Sequence, residues 1–296
     1  MPNKTLAIYA AGDCGACSQS LFLSQGLQEV LDKAELLFWA TGNGDLTSQD
    51  VEEYGDRDID VLIYVGPVTG QDAVSMAKLL RRKARRVIAY GACAHLGGLC
   101  GLANVTPGAK LRGYGQVNGE FVRPLAAVID VDYIAAGCPP PQGMVETMMK
   151  QVFLSDEEPE KGTVFANEKA VCAECDRKHV HNPLTEIKRY HTTPPDPEIC
   201  LIDQGYVCLG PVTRGGCEAV CLNSNRPCTG CAGPVSGVRD QGGAILHALA
   251  SLVSFSGEGK QAKEREVLDS MLDIVGTTYK YSAASSVLKG RVSDGE

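Results

Sequence analysis

Five cysteines fall within the 24 residues CLGPVTRGGCEAVCLNSNRPCTGC, from Cys208 to Cys231. Glycine, proline and polar residues fill the gaps, so the stretch carries neither a helical nor a strand period. Thiols at this density serve as disulfide staples, as a zinc site or as iron–sulfur ligands. The whole chain has 13 cysteines, at positions 14, 17, 93, 100, 138, 172, 175, 200, 208, 217, 221, 228 and 231. The count is odd. The N-terminal MPNKTLAIYA enters a strand-like run without the basic, apolar and small-residue regions of a secretory signal. A disulfide framework belongs to oxidising compartments and small secreted domains, so metal ligation in the cytoplasm is the expectation.

Length allows two domains in 296 residues. A net charge of −8 argues against a broad nucleic-acid surface, because that binding rests on neutralising phosphates. The basic run RRKARR (81–86) is the exception, read as a solvated complement to a helix dipole. No 18 consecutive apolar residues occur, so no membrane span is expected. The longest candidate, GGAILHALASLV (242–253), has the length of a core or interface helix.

The first half alternates strand and helix patterns. Strands are predicted in TLAIYAA (5–11), ELLFWA (35–40), DIDVLIYVG (58–66), RVIAYG (86–91) and VDYIAAG (131–137). Helices are predicted over 18–33, 70–84 and 141–154. Continuous apolar strands between amphipathic helices signify a parallel sheet covered on both faces. The fold class is therefore α/β: a flavodoxin-like doubly wound parallel sheet over 1–155, with the acidic SDEEPEKG (155–162) marking the boundary. Residues 156–296 read as a loop-rich, cysteine-bearing second domain, with one helix over 263–276 and a polar tail of about a dozen residues.

Topology gives the first cysteines a meaning. Cys14 and Cys17 follow the first predicted strand, Cys93 (in GACAHLGG) the fourth and Cys138 (in GCPP) the fifth. The carboxyl ends of parallel strands share one edge, where ligands bind. Four thiols from three loops thus converge, and four are what a cubane cluster requires. The other eight divide into Cys172, Cys175, Cys200 and Cys208, and Cys217, Cys221, Cys228 and Cys231. Their spacing differs from the ferredoxin run C-x2-C-x2-C-x3-C. Cys100 is left over, and is read as a buried thiol. Three clusters and no separate catalytic constellation suggest an electron wire.

Taken in order, C-x2-C, GACAHLGG, GCPP, CLGPVTRGGCEAVC and PCTGC resemble the small subunit of nickel–iron hydrogenases over the chain to about Pro234. The likeness is greatest to its cytoplasmic branch: the methyl-viologen-reducing subunit that works with heterodisulfide reductase, and the sulfhydrogenase small subunit. The resemblance implies a proximal 4Fe–4S cluster on Cys14, Cys17, Cys93 and Cys138, facing a nickel–iron centre in a separate large subunit. It implies a distal 4Fe–4S cluster on Cys172, Cys175, Cys200 and Cys208, where exported relatives have histidine at the first position. It implies a medial 4Fe–4S cluster on Cys217, Cys221, Cys228 and Cys231, with Cys221 standing where some relatives have proline. The implied activity is that of an oxidoreductase subunit with no catalytic residue of its own, passing electrons to a flavin or iron–sulfur acceptor subunit.

The chain departs from the family pattern at Gln19 and at Val65-Gly66-Pro67, where relatives commonly have a glutamate and Glu-Gly respectively. The second departure keeps open a wire subunit whose partner lacks nickel–iron chemistry. A zinc- or cluster-stabilised interaction protein is the remaining alternative. His179 and His181, in the polar stretch RKHVHNP, are expected in solvent, and TGNGDLTSQ (41–49) is expected to be a turn.

Overall fold

The computed structural model describes residues 4–12, 14–42, 44–106, 121–255 and 257–288. The chain divides into two compact units, one of residues 1–166, 231–233 and 281–296, the other of 167–230 and 234–280.

In the first unit the elements run β1 (Lys4–Ala10), α1 (Ala16–Phe22), α2 (Gln25–Leu31), β2 (Ala34–Thr41), α3 (Ser48–Glu52), β3 (Ile59–Val65), α4 (Gly70–Lys83), β4 (Ala84–Tyr90), α5 (Gly91–Leu96), β5 (Tyr133–Ala135), α6 (Gln142–Met149) and β6 (Thr163–Phe165). The strands form one sheet in the order β2-β1-β3-β4-β5-β6, every pair parallel. This is the doubly wound α/β architecture that the alternation predicts. Period-two alternation sends Leu6, Ile8, Val61, Ile63, Ile88 and Tyr133 into one core, and Ala7, Tyr9, Leu62, Tyr64, Val87 and Ala89 into the other. Both faces are covered, so the strands read as unbroken apolar runs.

Three features differ from expectation. The helix predicted over 18–33 is two helices, because the Ser24 hydroxyl accepts the Leu27 N–H at 3.2 Å and starts α2 afresh. The basic run closes the last turn of α4, as expected, with Arg82 and Arg85 exposed, but it is not solvated throughout. Lys83 is buried and donates to the Tyr54 carbonyl at 2.5 Å, Arg81 pairs with buried Asp132 at 3.0 Å, and Arg86 pairs with Glu158 at 2.6 Å. The third is β6, a short sixth strand just past the acidic stretch. The segment 41–49 turns as expected but ends in α3, whose Thr47 and Asp50 form a capping box.

In the second unit, regular elements are few: α7 (Val220–Asn223), α8 (Gln241–Leu252), α9 (Lys260–Asp269) and α10 (Ile274–Thr278). They close over a core of Val171, Leu201, Tyr206, Leu209, Ile245 and Leu249, among others. The single helix predicted over 263–276 is broken, because the Asp273 carboxylate accepts the Gly276 N–H at 2.8 Å and caps α10. Irregular backbone needs partners other than a ladder, and Arg177 supplies four. Its guanidinium donates to the carbonyls of Asp196 (2.7 Å), Ile199 (3.0 Å) and Leu222 (3.1 Å) and to Asn225 Oδ1 (2.6 Å).

The expected polar tail begins differently. Residues 283–285 form a turn grouped with the first unit, and a Cβ on Gly97 would fall 2.5 Å from Ala284 Cβ. Residues 289–296 of that tail lie outside the described residues. No helix among the described residues is long and apolar enough to cross a membrane.

Candidate metal centres

The carboxyl edge of the first sheet is built largely from backbone. After β1, the Ala11 N–H donates to the Val65 carbonyl at 2.8 Å, holding the start of the Cys14–Cys17 loop against the end of β3. After β4, the Ala92 N–H donates to the Gly137 carbonyl at 2.7 Å, tying the Cys93 loop to the Cys138 loop. Glycine is required where thiols press on main chain. A Cβ on Gly91 (φ +85°) would sit 2.5 Å from Cys17 Sγ, and one on Gly98 (φ +62°) 2.4 Å from Cys93 Sγ.

Cys17, Cys93 and Cys138 are thereby gathered. Cys93 has its thiol pushed well above the usual range, first by a hydrogen bond with Cys100, then by burial, then by Cys100, Cys17 and Cys138 nearby. Cys14 is exposed, and lines an open cavity of about 550 Å³ with Gly15, Ser18, Gln19, Phe22 and Trp39. Cys100 is the residue that spacing did not assign to this edge; its place follows from the tight turn at Gly97 and Gly98. The end of β3, Val65-Gly66, brings no carboxylate there.

The second unit gathers Cys172, Cys175, Cys200 and Cys208. Burial raises the Cys172 thiol to about 12, with Cys208, Cys200 and Cys175 adding to the rise. Burial likewise raises Cys208 to about 11, against the lowering effect of hydrogen bonds from the Gly210 and Cys228 backbones. A Cβ on Gly210 would lie 3.2 Å from Cys172 Sγ and 3.5 Å from Cys208 Sγ, so this glycine leaves the space between two sulfurs open. His179 and Asp203 stand beside Cys200, with one donor atom from each of the three within 4.8 Å of the others. His179 is exposed, as expected, and its Nδ1 lies 3.3 Å from Asp203 Oδ2.

Of the last four cysteines, Cys217 and Cys221 are neighbours, Cys221 being raised by burial and then by Cys217, with Lys280 opposing. The Cys228 N–H donates to Cys208 Sγ at 3.4 Å. Cys231 is grouped with the first unit.

These donor sets fit iron–sulfur chemistry. The first two sets are thiols alone or nearly so, and glycines leave room beside their sulfurs. In the second set the N–H groups of Gly210 and Cys228 point at Cys208 Sγ. Of the third set only Cys217 and Cys221 are brought together. Fixed N–H donors and burial are the means by which protein tunes such a cluster.

Comparison with known proteins decides the family. Residues 14–152 match the family described as NADH ubiquinone oxidoreductase, 20 Kd subunit. The iron–sulfur subunit of the F420-non-reducing hydrogenase of Archaeoglobus profundus is 33% identical, over 97% of this chain and 98% of its own. The chain belongs to the family of F420-non-reducing hydrogenase iron–sulfur subunits. Other relatives include the corresponding F420-non-reducing hydrogenase chain of Methanothermobacter thermautotrophicus, 31% identical over 95% of this chain and 94% of that one. Sulfhydrogenase 2 subunit delta of Pyrococcus furiosus is 28% identical, over 77% and 86%. Among solved structures, a chain of the [NiFeSe] hydrogenase of Desulfovibrio vulgaris Hildenborough aligns with a TM-score of 0.49 at 17% identity, over 80% of this chain and 95% of that one. Membership of this family makes the chain a hydrogenase small subunit, part of an oxidoreductase.

Proposed function

We propose that this chain is the electron-transfer small subunit of a nickel–iron hydrogenase, relaying electrons from hydrogen oxidised at a partner large subunit, through three 4Fe–4S clusters, to a flavin or iron–sulfur acceptor subunit. Heterodisulfide reductase is the acceptor assembly that the sequence resemblance favours. The observation that carries this reading is the meeting of Cys17, Cys93 and Cys138 at one sheet edge, beside glycines whose Cβ atoms would collide with sulfur. Bound there, a 4Fe–4S cluster supplies a one-electron carrier.

In this reading residues 1–155 hold the proximal cluster on Cys14, Cys17, Cys93 and Cys138. Residues 156–296 hold the other two, on Cys172, Cys175, Cys200 and Cys208 and on Cys217, Cys221, Cys228 and Cys231. The chain's own work is to supply thiolates, exclude water and direct N–H groups at sulfur. A reducing cytoplasm keeps its cysteines as thiols available for iron.

The large subunit docks where the first unit is apolar and open. Phe22 (65% exposed) lines the same cavity as Cys14, and Leu23 (66% exposed) follows it in sequence. Burying two such side chains contributes on the order of 3–5 kcal/mol to association.

A second reading rests on β3. It ends at Val65 with no carboxylate at the sheet edge, which favours a wire whose partner lacks nickel–iron chemistry.

Metal and sulfide analysis of the complex, purified through this chain without oxygen, separates these readings. About twelve irons and twelve sulfides in this subunit, with nickel in its partner, are expected for three cubanes. The same iron without nickel supports the second reading. Zinc without iron defeats both and leaves a zinc-stabilised interaction protein.

A further inference from the structure

We propose that a cavity in the second unit, lined in part by Lys188, Arg189, Tyr190, Cys228, Leu272 and Lys280, receives an acidic segment of the electron-accepting subunit. The inference rests on the wire reading above and adds to it the place where the acceptor docks and the chemistry that holds it.

The cavity measures about 350 Å³ and lies between residues 187–191 and the turn that leads from α9 into α10. Asp273, the one acid among its described lining residues, already accepts the Gly276 N–H at 2.8 Å and caps α10. Lys188, Arg189 and Lys280 line the same cavity. Glu186 answers Lys188 at 2.9 Å. Arg226 adds a further cation beside the cavity, with its guanidinium carbon 4.5 Å from the centroid of the Tyr190 ring. Four cations thus stand against two acids, on a chain whose net charge is −8. A basic concavity on an acidic chain complements a negatively charged partner and steers its approach. Apolar surface accompanies the charge: Leu272 is 77% exposed and Tyr190 43% exposed. Exposed aromatic and apolar side chains beside arginine are the makings of a protein interface.

The cavity wall says which partner belongs here. Cys228 is buried there next to Leu209. The Leu209 N–H donates to the Cys228 carbonyl at 2.9 Å, and the Cys228 N–H donates to Cys208 Sγ at 3.4 Å. Cys228 therefore brings both ligand sets proposed for this unit to the cavity. Electron tunnelling falls steeply with distance, so an acceptor seated against a ligand-bearing wall keeps the path short. The large subunit has its own place beside Cys14 in the first unit.

The test is carbodiimide cross-linking of the intact complex, purified without oxygen, followed by mass spectrometry. The reagent joins a lysine amine to a carboxylate in contact with it. Lys188 or Lys280 joined to an aspartate or glutamate of a flavin- or iron–sulfur-bearing subunit is the expected result. Links from these lysines solely to the large subunit, to a second copy of this chain or within this chain overturn the proposal. Arg189→Glu and Leu272→Asp, both at exposed positions, are then compared with wild type. Each is expected to weaken acceptor binding by about tenfold, with the iron in this chain and its large subunit retained. Intact iron with unchanged acceptor binding in both variants overturns the docking site alone. Wild-type complex without iron in this chain overturns the wire reading, and the docking site with it.

Discussion

The N–H of Cys228 donates to Sγ of Cys208 across 3.4 Å, although the ligand sets proposed above divide these two cysteines. The adjoining Leu209 N–H returns a bond to the Cys228 carbonyl at 2.9 Å. The second and third sets are therefore joined through backbone at one buried point. Cys208→Ser is expected to remove the cluster of the second set and to weaken iron retention in the third. Cys172→Ser changes a residue whose sulfur receives no such N–H from the third set among the described residues, and is expected to affect the second set alone. Iron per subunit and the cluster signals in each variant check the contrast; equal losses in both would show that the shared bond does not couple the sets.

Gly98→Ala places a methyl group 2.4 Å from Cys93 Sγ at a backbone angle of φ +62°. The left-handed strain alone costs about 1–3 kcal/mol, and the collision displaces a proposed ligand. Loss of proximal iron and a lower unfolding midpoint are both expected. Gly143→Ala, within α6 and with open space around its α-carbon, is the control. It should stabilise the chain by about 0.5–1 kcal/mol through helix propensity. Urea unfolding of the two variants gives opposite signs if the cradle is as described.

The thiols of the second unit fix the sign of a pH dependence. Cys172 is raised to about 12 and Cys208 to about 11, chiefly by burial, against an ordinary thiol value of about 8.5. Raised acids favour the protonated fold, so the metal-free chain keeps this stability below about pH 8.5 and loses it as pH climbs toward 11–12. Metal ligation requires thiolates and therefore releases protons. Binding of cadmium to the metal-free chain should tighten with rising pH across that window. Calorimetry in buffers of different ionisation enthalpy should record close to one proton released per thiol at pH 7.

Arg177 binds three carbonyls and one side-chain amide from the segments that follow Pro195 and precede Arg226. Lysine keeps the charge but not the planar fork. Arg177→Lys should cost about 2–4 kcal/mol, since hydrogen bonds to charged groups contribute about 1.5–3 kcal/mol each and lysine replaces some of them. Chemical unfolding of the metal-free chain measures the loss. An effect below about 0.5 kcal/mol, the range of ordinary surface changes, would show that the clamp is not needed to order these loops.

Much of the first unit is legible in its sequence, because burial on both faces forces strands such as LAIYA and VLIYV to be apolar throughout. The loops carrying Cys14, Cys93 and Cys138 then follow from topology. Breaks that depend on one polar side chain are harder to read. Ser24 and Asp273 each restart a helix inside an otherwise helical pattern, and their hydrogen bonds are invisible to periodicity. Lys83 looks solvated in a basic run, yet Glu52 and the Tyr54 carbonyl, distant in sequence, take it inside. Arg177 carries no motif at all. Its role arises from where irregular backbone happens to return, and composition encodes no such path. The bond from Cys228 to Cys208 likewise follows from no spacing along the chain.

The hydrogen bond from Ala92 to the Gly137 carbonyl bears on how such a protein is made. It joins the loops that follow the paired strands β4 and β5, at the same sheet edge as the Cys14–Cys17 loop after β1. A ribosome releases Cys14 and Cys17 long before Cys138 exists. The edge that gathers these thiols is therefore complete only once Cys138 has been made, so a cluster held as proposed above is expected to enter after synthesis of the β5 loop.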